Sequence, residues 1–115
     1  CAYANYYINS PAGTFCVNGT AGGVSRVGSK SPKGDGRWKQ ADLAGNVYEW
    51  MLDWDAGSYP IPCSDCANLM PSPNRVLRGG SFTYMASDLR AASHDLNVPA
   101  IRLYDVGFRC ARSAP

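Results

Sequence analysis

The stretch ADLAGNVYEW, residues 41–50, places the carboxylates of Asp42 and Glu49 on either side of a Gly45-Asn46 turn. A calcium ion takes about six to eight oxygens, with carboxylates supplemented by peptide carbonyls. The Asp42 and Glu49 side chains and the carbonyls of Gly45 and Val47 therefore form a candidate calcium cage. A plainer reading has Asp42 capping a helical turn and Glu49 paired with an arginine. A catalytic carboxylate pair is a third option, but neither a second acidic cluster nor a histidine stands nearby in the sequence to support it.

The cysteines offer different chemistry. Cys63 and Cys66, in PCSDC, have the C-x-x-C spacing that binds a soft metal or cycles as a redox dithiol. Zinc would need two further ligands, and His94 is the chain's sole histidine. The structural reading pins one or both into disulfides, with Cys110 as a partner for one of them. Cys1 and Cys16 can close the N-terminal loop, a constraint worth about 3 kcal/mol. With 5 cysteines at least one thiol stays unpaired or joins another chain, and other pairings remain open. So many cysteines in 115 residues favour an oxidising location, secreted, periplasmic or at the cell surface. Asn18-Gly19-Thr20 fits a glycosylation sequon. His94 could act as a general base, but Asp95 beside it on a strand would face the opposite way. A surface or hydrogen-bonding role is expected.

These residues must be positioned by a frame with little regular structure. The 12 glycines and 8 prolines leave only short apolar runs, which predict brief strands joined by long loops. Residues 9–37 and 56–74 read as loops. Strands are expected at 47–54, at 75–82 with a bulge or close approach at its glycine pair, at 89–93 and at 105–112. A chain of this length makes one domain, and 45% hydrophobic residues can supply a core. No apolar run approaches the roughly 20 residues of a membrane helix. A net charge of +2, with scattered basic residues, argues against nucleic acid.

Four ordered blocks, GRWKQADLAGNVYEWMLDW, RVLRGGSF, LRAAS and VGFRCAR, resemble the formylglycine-generating enzyme, or sulfatase-modifying factor, family. The resemblance implies a C-type-lectin-like α+β fold, rich in loops, of which this chain is the C-terminal portion, trimmed on its N-terminal side. It also implies a structural calcium held by Asp42, Gly45, Val47 and Glu49, the set the oxygen chemistry suggests. A second family calcium would use the Asn5 side chain and the Tyr6 carbonyl. Its remaining acid belongs near residues 22–24, where this chain has GGV.

The family's enzymes oxidise a sulfatase cysteine with oxygen and a copper ion held by two thiolates. Copper(I) needs such soft ligands. They belong between the GGS and LRAA-type motifs, where this chain has SFTYMASD, residues 81–88, without a cysteine. Ala86 stands where the second thiol is expected. Ser81 matches a serine of the family's active-site pocket, with no metal partner implied. The copper oxidase is thus the alternative, and a non-catalytic domain the main expectation.

Between the recurring positions Leu89, Arg90, Ala91, Ala92, Pro99, Arg102, Gly107, Phe108 and Arg109, expected in the core and turns, lie side chains of mixed type. They are Tyr84, Met85, Ser87 and Asp88, then His94, Asp95, Leu96 and Asn97, then Ile101, Leu103, Tyr104 and Asp105. Tyr, Ser and Asn are residues of adaptable binding surfaces. The pattern is similar to the variable proteins of diversity-generating retroelements, which implies a module displaying side chains to a protein, peptide or glycan ligand.

Overall fold

The computed structural model describes residues 1–8, 14–16, 23–58, 61–64 and 66–111. The sequon at 18–20 lies outside them. Among the described residues six short strands are formed: β1 (Tyr7–Ile8), β2 (Thr14–Phe15), β3 (Tyr48–Trp54), β4 (Arg75–Arg78), β5 (Asp95–Asn97) and β6 (Val106–Gly107). A 3-10 turn at Ala86–Leu89 is the only helical element among the described residues. The loop-rich expectation holds.

β1 and β2 form an antiparallel hairpin inside the region expected to be loop, with Tyr7 opposite Phe15. The Cys1–Cys16 disulfide, Cα atoms 4.8 Å apart, ties its ends. The larger sheet has the order β5-β4-β3-β6, with β6 parallel to β3 and the other pairs antiparallel. β3 is the aromatic run YEWMLDW, residue types that suit a pleated, half-buried surface. β4 stops at Gly79 and Gly80, both with positive φ. A Cβ on Gly80 would lie 2.6 Å from a Leu89 methyl, so this is the close approach expected there.

The sheet sorts its side chains by alternation. Tyr48 and Leu77 are buried, Leu77 at 1% exposure, and Phe82, Ala4 and Cys16 complete the apolar core with Val76. Burying Leu77 contributes about 2 kcal/mol. So small an apolar set leaves much of the fixing to buried polar groups: Asn5, Asn46, Ser81 and Asp105.

Residues 89–93 depart from expectation. They form no strand but the end of the 3-10 turn and a following turn. The guanidinium of Arg78 collects the carbonyls of Ala91 and Ser93, both at 3.0 Å, which holds the chain bent. The positions assigned to core and turns also divide. Leu89 and Gly107 are partly buried, while Arg90, Ala91, Ala92, Pro99, Arg102 and Arg109 are exposed and Phe108 is 77% exposed.

Candidate functional site

The turn before β3 is fixed by backbone geometry that sequence chemistry anticipates. Asp42, Gly45 and Asn46 all have positive φ, which Gly, Asn and Asp tolerate best. Asn46 is the hub. Its Oδ1 accepts from the Ser25 amide at 2.7 Å and from Asn5 Nδ2 at 3.2 Å. Its Nδ2 donates to the Ser25 carbonyl, and its own carbonyl receives the Phe82 amide at 3.0 Å. The side chain thus ties the Asn5 and Ser25 segments to the turn, and the backbone carbonyl ties in Phe82. The sequence reading noted the turn but missed this role, for which the Gly-Asn pair was the only signal.

Asp42, Val47 and Glu49 line one cavity of about 300 Å³ with Ala41, Asn46 and Arg109. Asp42 Oδ2 accepts the Gly28 amide at 2.7 Å. Glu49 takes a forked ion pair from Arg109, Nη2 at 2.6 Å and Nε at 2.9 Å, and Arg109 also donates to the carbonyls of Ala41 and Asp42. The hydrogen bond to Glu49 raises the Arg109 pKa above its ordinary value, outweighing partial burial. The arginine partner left open for Glu49 is therefore Arg109.

The donor set is all oxygen and hard, the kind calcium takes. No three His, Cys, Asp or Glu side chains converge as metal ligands among the described residues. A cation here would rest on the two carboxylates and on peptide carbonyls such as those of Gly45 and Val47. Nearby, Asn5 is 1% exposed and its Oδ1 is a buried acceptor without a protein donor. Such an atom is costly unless something else satisfies it. At the turn itself the Arg109 guanidinium already occupies Glu49, so a cation would have to displace it.

Ser81 is fully buried and bonds Asp105 Oδ2 at 3.0 Å, while Thr83 Oγ1 reaches the same oxygen at 2.8 Å. Asp105, expected on the display surface, is instead 7% exposed and structural. A charged acceptor holding two hydroxyl donors is a strong arrangement in a dry setting. It couples the 81–89 segment to the 101–105 segment.

Above this anchor, Tyr84, Met85, Ser87, Leu103 and Tyr104 are exposed, Tyr104 by 73%. Tyr84 packs edge-on against Tyr48 with ring centroids 5.1 Å apart. Burial, then the charges of Asp95 and its neighbours, pushes the Tyr48 phenol up to about 12, and the same causes raise Tyr84. β5 does not present its residues to one side. His94 and Leu96 line a pocket on the opposite sheet face, while Asp95 lies in the field of Tyr48 and Tyr84. Alternation splits the expected surface in two, and Asp88, Asp95, Leu96 and Asn97 are only partly exposed.

Cys63 and Cys66 are joined to each other, not to Cys110, whose thiol is free and exposed.

Together these features describe a small, irregular scaffold domain in which polar cross-links and an oxygen-lined turn hold surface side chains in place. The chain belongs to the family described as the sulfatase-modifying factor enzyme 1-like domain, whose profile matches residues 2–114. It is 38% identical over 95 residues to the formylglycine-generating enzyme of Streptomyces coelicolor, which covers 76% of this chain and 29% of the enzyme. Over 79 residues it is 38% identical to the serine/threonine-protein kinase Pkn1 of Chlamydia trachomatis, covering 62% of this chain and 12% of the kinase. Among solved structures, Treponema denticola variable protein 1 superposes with a TM-score of 0.69 at 29% identity, covering 93% of this chain and 34% of that one. The chain thus spans about a third or less of these relatives' length.

Proposed function

We propose that this is a non-catalytic, calcium-stabilised, C-type-lectin-like domain that displays side chains to a protein, peptide or glycan ligand. The observation that carries the reading is the buried Ser81–Thr83–Asp105 cluster beneath exposed Tyr84, Met85, Leu103 and Tyr104. Pre-organised aromatic side chains lose little entropy on binding. Likeness to a solved protein named a variable protein supports the same reading. The two disulfides are compatible with a secreted, periplasmic or surface location, and no described helix is long and apolar enough to cross a membrane.

Calcium, when bound, would contribute cohesion. Asp42 and Glu49 would supply charge and Gly45 and Val47 carbonyls, tying the turn to β3. The Asn5 side chain and Tyr6 carbonyl would serve a second ion, a reading supported by the unsatisfied Asn5 Oδ1.

Identity to enzymes named formylglycine-generating supports a second reading, a copper-dependent oxidase. It lacks a thiol in residues 81–88 of this chain, where the family motif would hold copper. Incubation with copper, oxygen and a sulfatase-type cysteine peptide separates the two. The display reading expects the peptide cysteine to survive; its conversion to an aldehyde, abolished by Cys63→Ser, would establish the oxidase.

A further inference from the structure

On the sheet face that carries Val76, opposite the face of Tyr48 and Leu77, a pocket of about 310 Å³ lies between β3, β4, β5 and the loop after β3. Met51, Val76 and Leu96 give it apolar walls, Asp53, Arg78 and His94 stand among them, and Cys63 and Cys66 complete the lining. The display reading leaves this site unused.

The Cys63–Cys66 bond joins residues with a separation of 3, against 15 for Cys1–Cys16. Closing so short a loop restrains the unfolded chain less, so the inner pair is the weaker structural staple. Its accessibility is the reverse. Cys63 and Cys66 are both exposed, whereas the Cys1–Cys16 pair has one exposed residue, Cys1, and one buried, Cys16 at 4% exposure. Thiolate attack on a disulfide requires access to a sulfur. Here an accessible disulfide adjoins a cavity able to hold the attacking group.

We propose that the Cys63–Cys66 disulfide exchanges with a peptide carrying two thiols, bound through an apolar side chain in this pocket. One peptide thiolate attacks a sulfur of the pair. The Cys63–Cys66 bond breaks, a mixed disulfide forms, and the displaced thiolate takes up the proton that the peptide thiol gave up. The second peptide thiolate then attacks the mixed disulfide, and the peptide leaves with its own internal disulfide. Two electrons and two protons have passed from peptide to protein. The exchange consumes neither oxygen nor copper, so anaerobic conditions with chelator separate it from the oxidase reading, which draws on the same cysteine.

The test uses the oxidised chain under anaerobic conditions with chelator, and a leucine-flanked Cys-Gly-Pro-Cys peptide as probe. Alkylation and mass spectrometry follow each disulfide against time. Loss of the Cys63–Cys66 bond is expected to saturate with peptide concentration while Cys1–Cys16 persists. A single-cysteine form of the peptide should leave a mixed disulfide on Cys63 or Cys66. Ser58→Arg, at an exposed position of the lining, should slow exchange with subsaturating peptide by about tenfold, the loss of a modest binding contribution, and leave reduction by dithiothreitol unchanged. Should Ser58→Arg melt below the natural chain, Ala56→Arg, also exposed in the lining, takes its place. A rate linear in peptide, indifference to the arginine, or equal loss of Cys1–Cys16 overturns the proposal.

Discussion

Arg109 grips Glu49 through two nitrogens while its Nη1 and Nη2 reach the carbonyls of Ala41 and Asp42, at 2.9 and 3.1 Å. A single guanidinium therefore fastens the segment after β6 to β3 and to the turn that precedes it. Lysine keeps the charge but not the planar fork. Arg109→Lys should cost about 1–2 kcal/mol in urea unfolding, the range for charge-assisted hydrogen bonds discounted for partial exposure. Glu49→Gln should cost about as much, and the double variant less than the sum. Additive losses would show that the two residues act separately.

On the proposed calcium reading the ion must compete with the Arg109 guanidinium for Glu49, so calcium should raise the melting temperature of the natural chain and raise it further in Arg109→Gln. A ligand binding only the folded state stabilises by about 2.7 kcal/mol at a hundredfold excess over Kd. Asp42→Asn and Glu49→Gln should each flatten the calcium dependence. Identical melting curves in calcium and in chelator would end the cage proposal.

Much of this frame is legible in the residues because local chemistry decides it. β3 is expected at 47–54 and found at 48–54, since an aromatic, alternating run bounded by a Gly-Asn turn leaves few alternatives. The glycine pair after β4 likewise announces its close approach. What escapes is whatever depends on distant partners. LRAAS is expected as a strand though its residue types do not favour one, and Arg78 captures the carbonyls of Ala91 and Ser93 and bends it. Asp105 reads as a surface acid until Ser81 and Thr83 converge on it. β2 hides in a glycine-rich stretch because its pairing with Tyr7 and Ile8 supplies what its own sequence does not. At the site, both acids and the turn are legible, but Arg109 is not singled out among the arginines.

Gly45 tests how tightly the turn is packed. Its φ is +74, and a Cβ there would stand 2.3 Å from the Asn5 carbonyl oxygen. That neighbour is backbone, bonded in turn by the Asn46 amide at 2.8 Å, so it has little room to retreat. Gly45→Ala should cost at least about 2 kcal/mol, combining left-handed strain with displacement of the 5–6 segment. A change within 0.5 kcal/mol would mean the segment moves freely.

Asp105 holds two hydroxyls with one carboxylate oxygen, so removing it strands donors in a buried place. Asp105→Ala should cost about 2–4 kcal/mol, the sum of two charge-assisted bonds and the unpaired groups left behind. Thr83→Val removes one of the bonds and should cost about 1 kcal/mol. If the cluster supports the display surface, Thr83→Val should also weaken any ligand that contacts Tyr84 and Tyr104. Unchanged ligand affinity at reduced stability would confine the cluster to folding.

Tyr48 offers a test through pH. Burial first, and then the nearby carboxylates led by Asp95, raises its pKa from 10.0 in the unfolded chain to about 12. The folded state therefore holds the phenolic proton where the unfolded state has begun to lose it. The associated stability is fully present below pH 10 and is lost as pH rises toward 12, at a limiting slope of about 1.4 kcal/mol per pH unit for one proton. Tyr84 is raised in the same direction and adds to the slope. Urea unfolding of the natural chain between pH 9 and 12 should show this decline, and Tyr48→Phe should make it shallower by the share of one proton. If Tyr48→Phe leaves the slope unchanged, the phenol is wetter than its burial against Tyr84 implies.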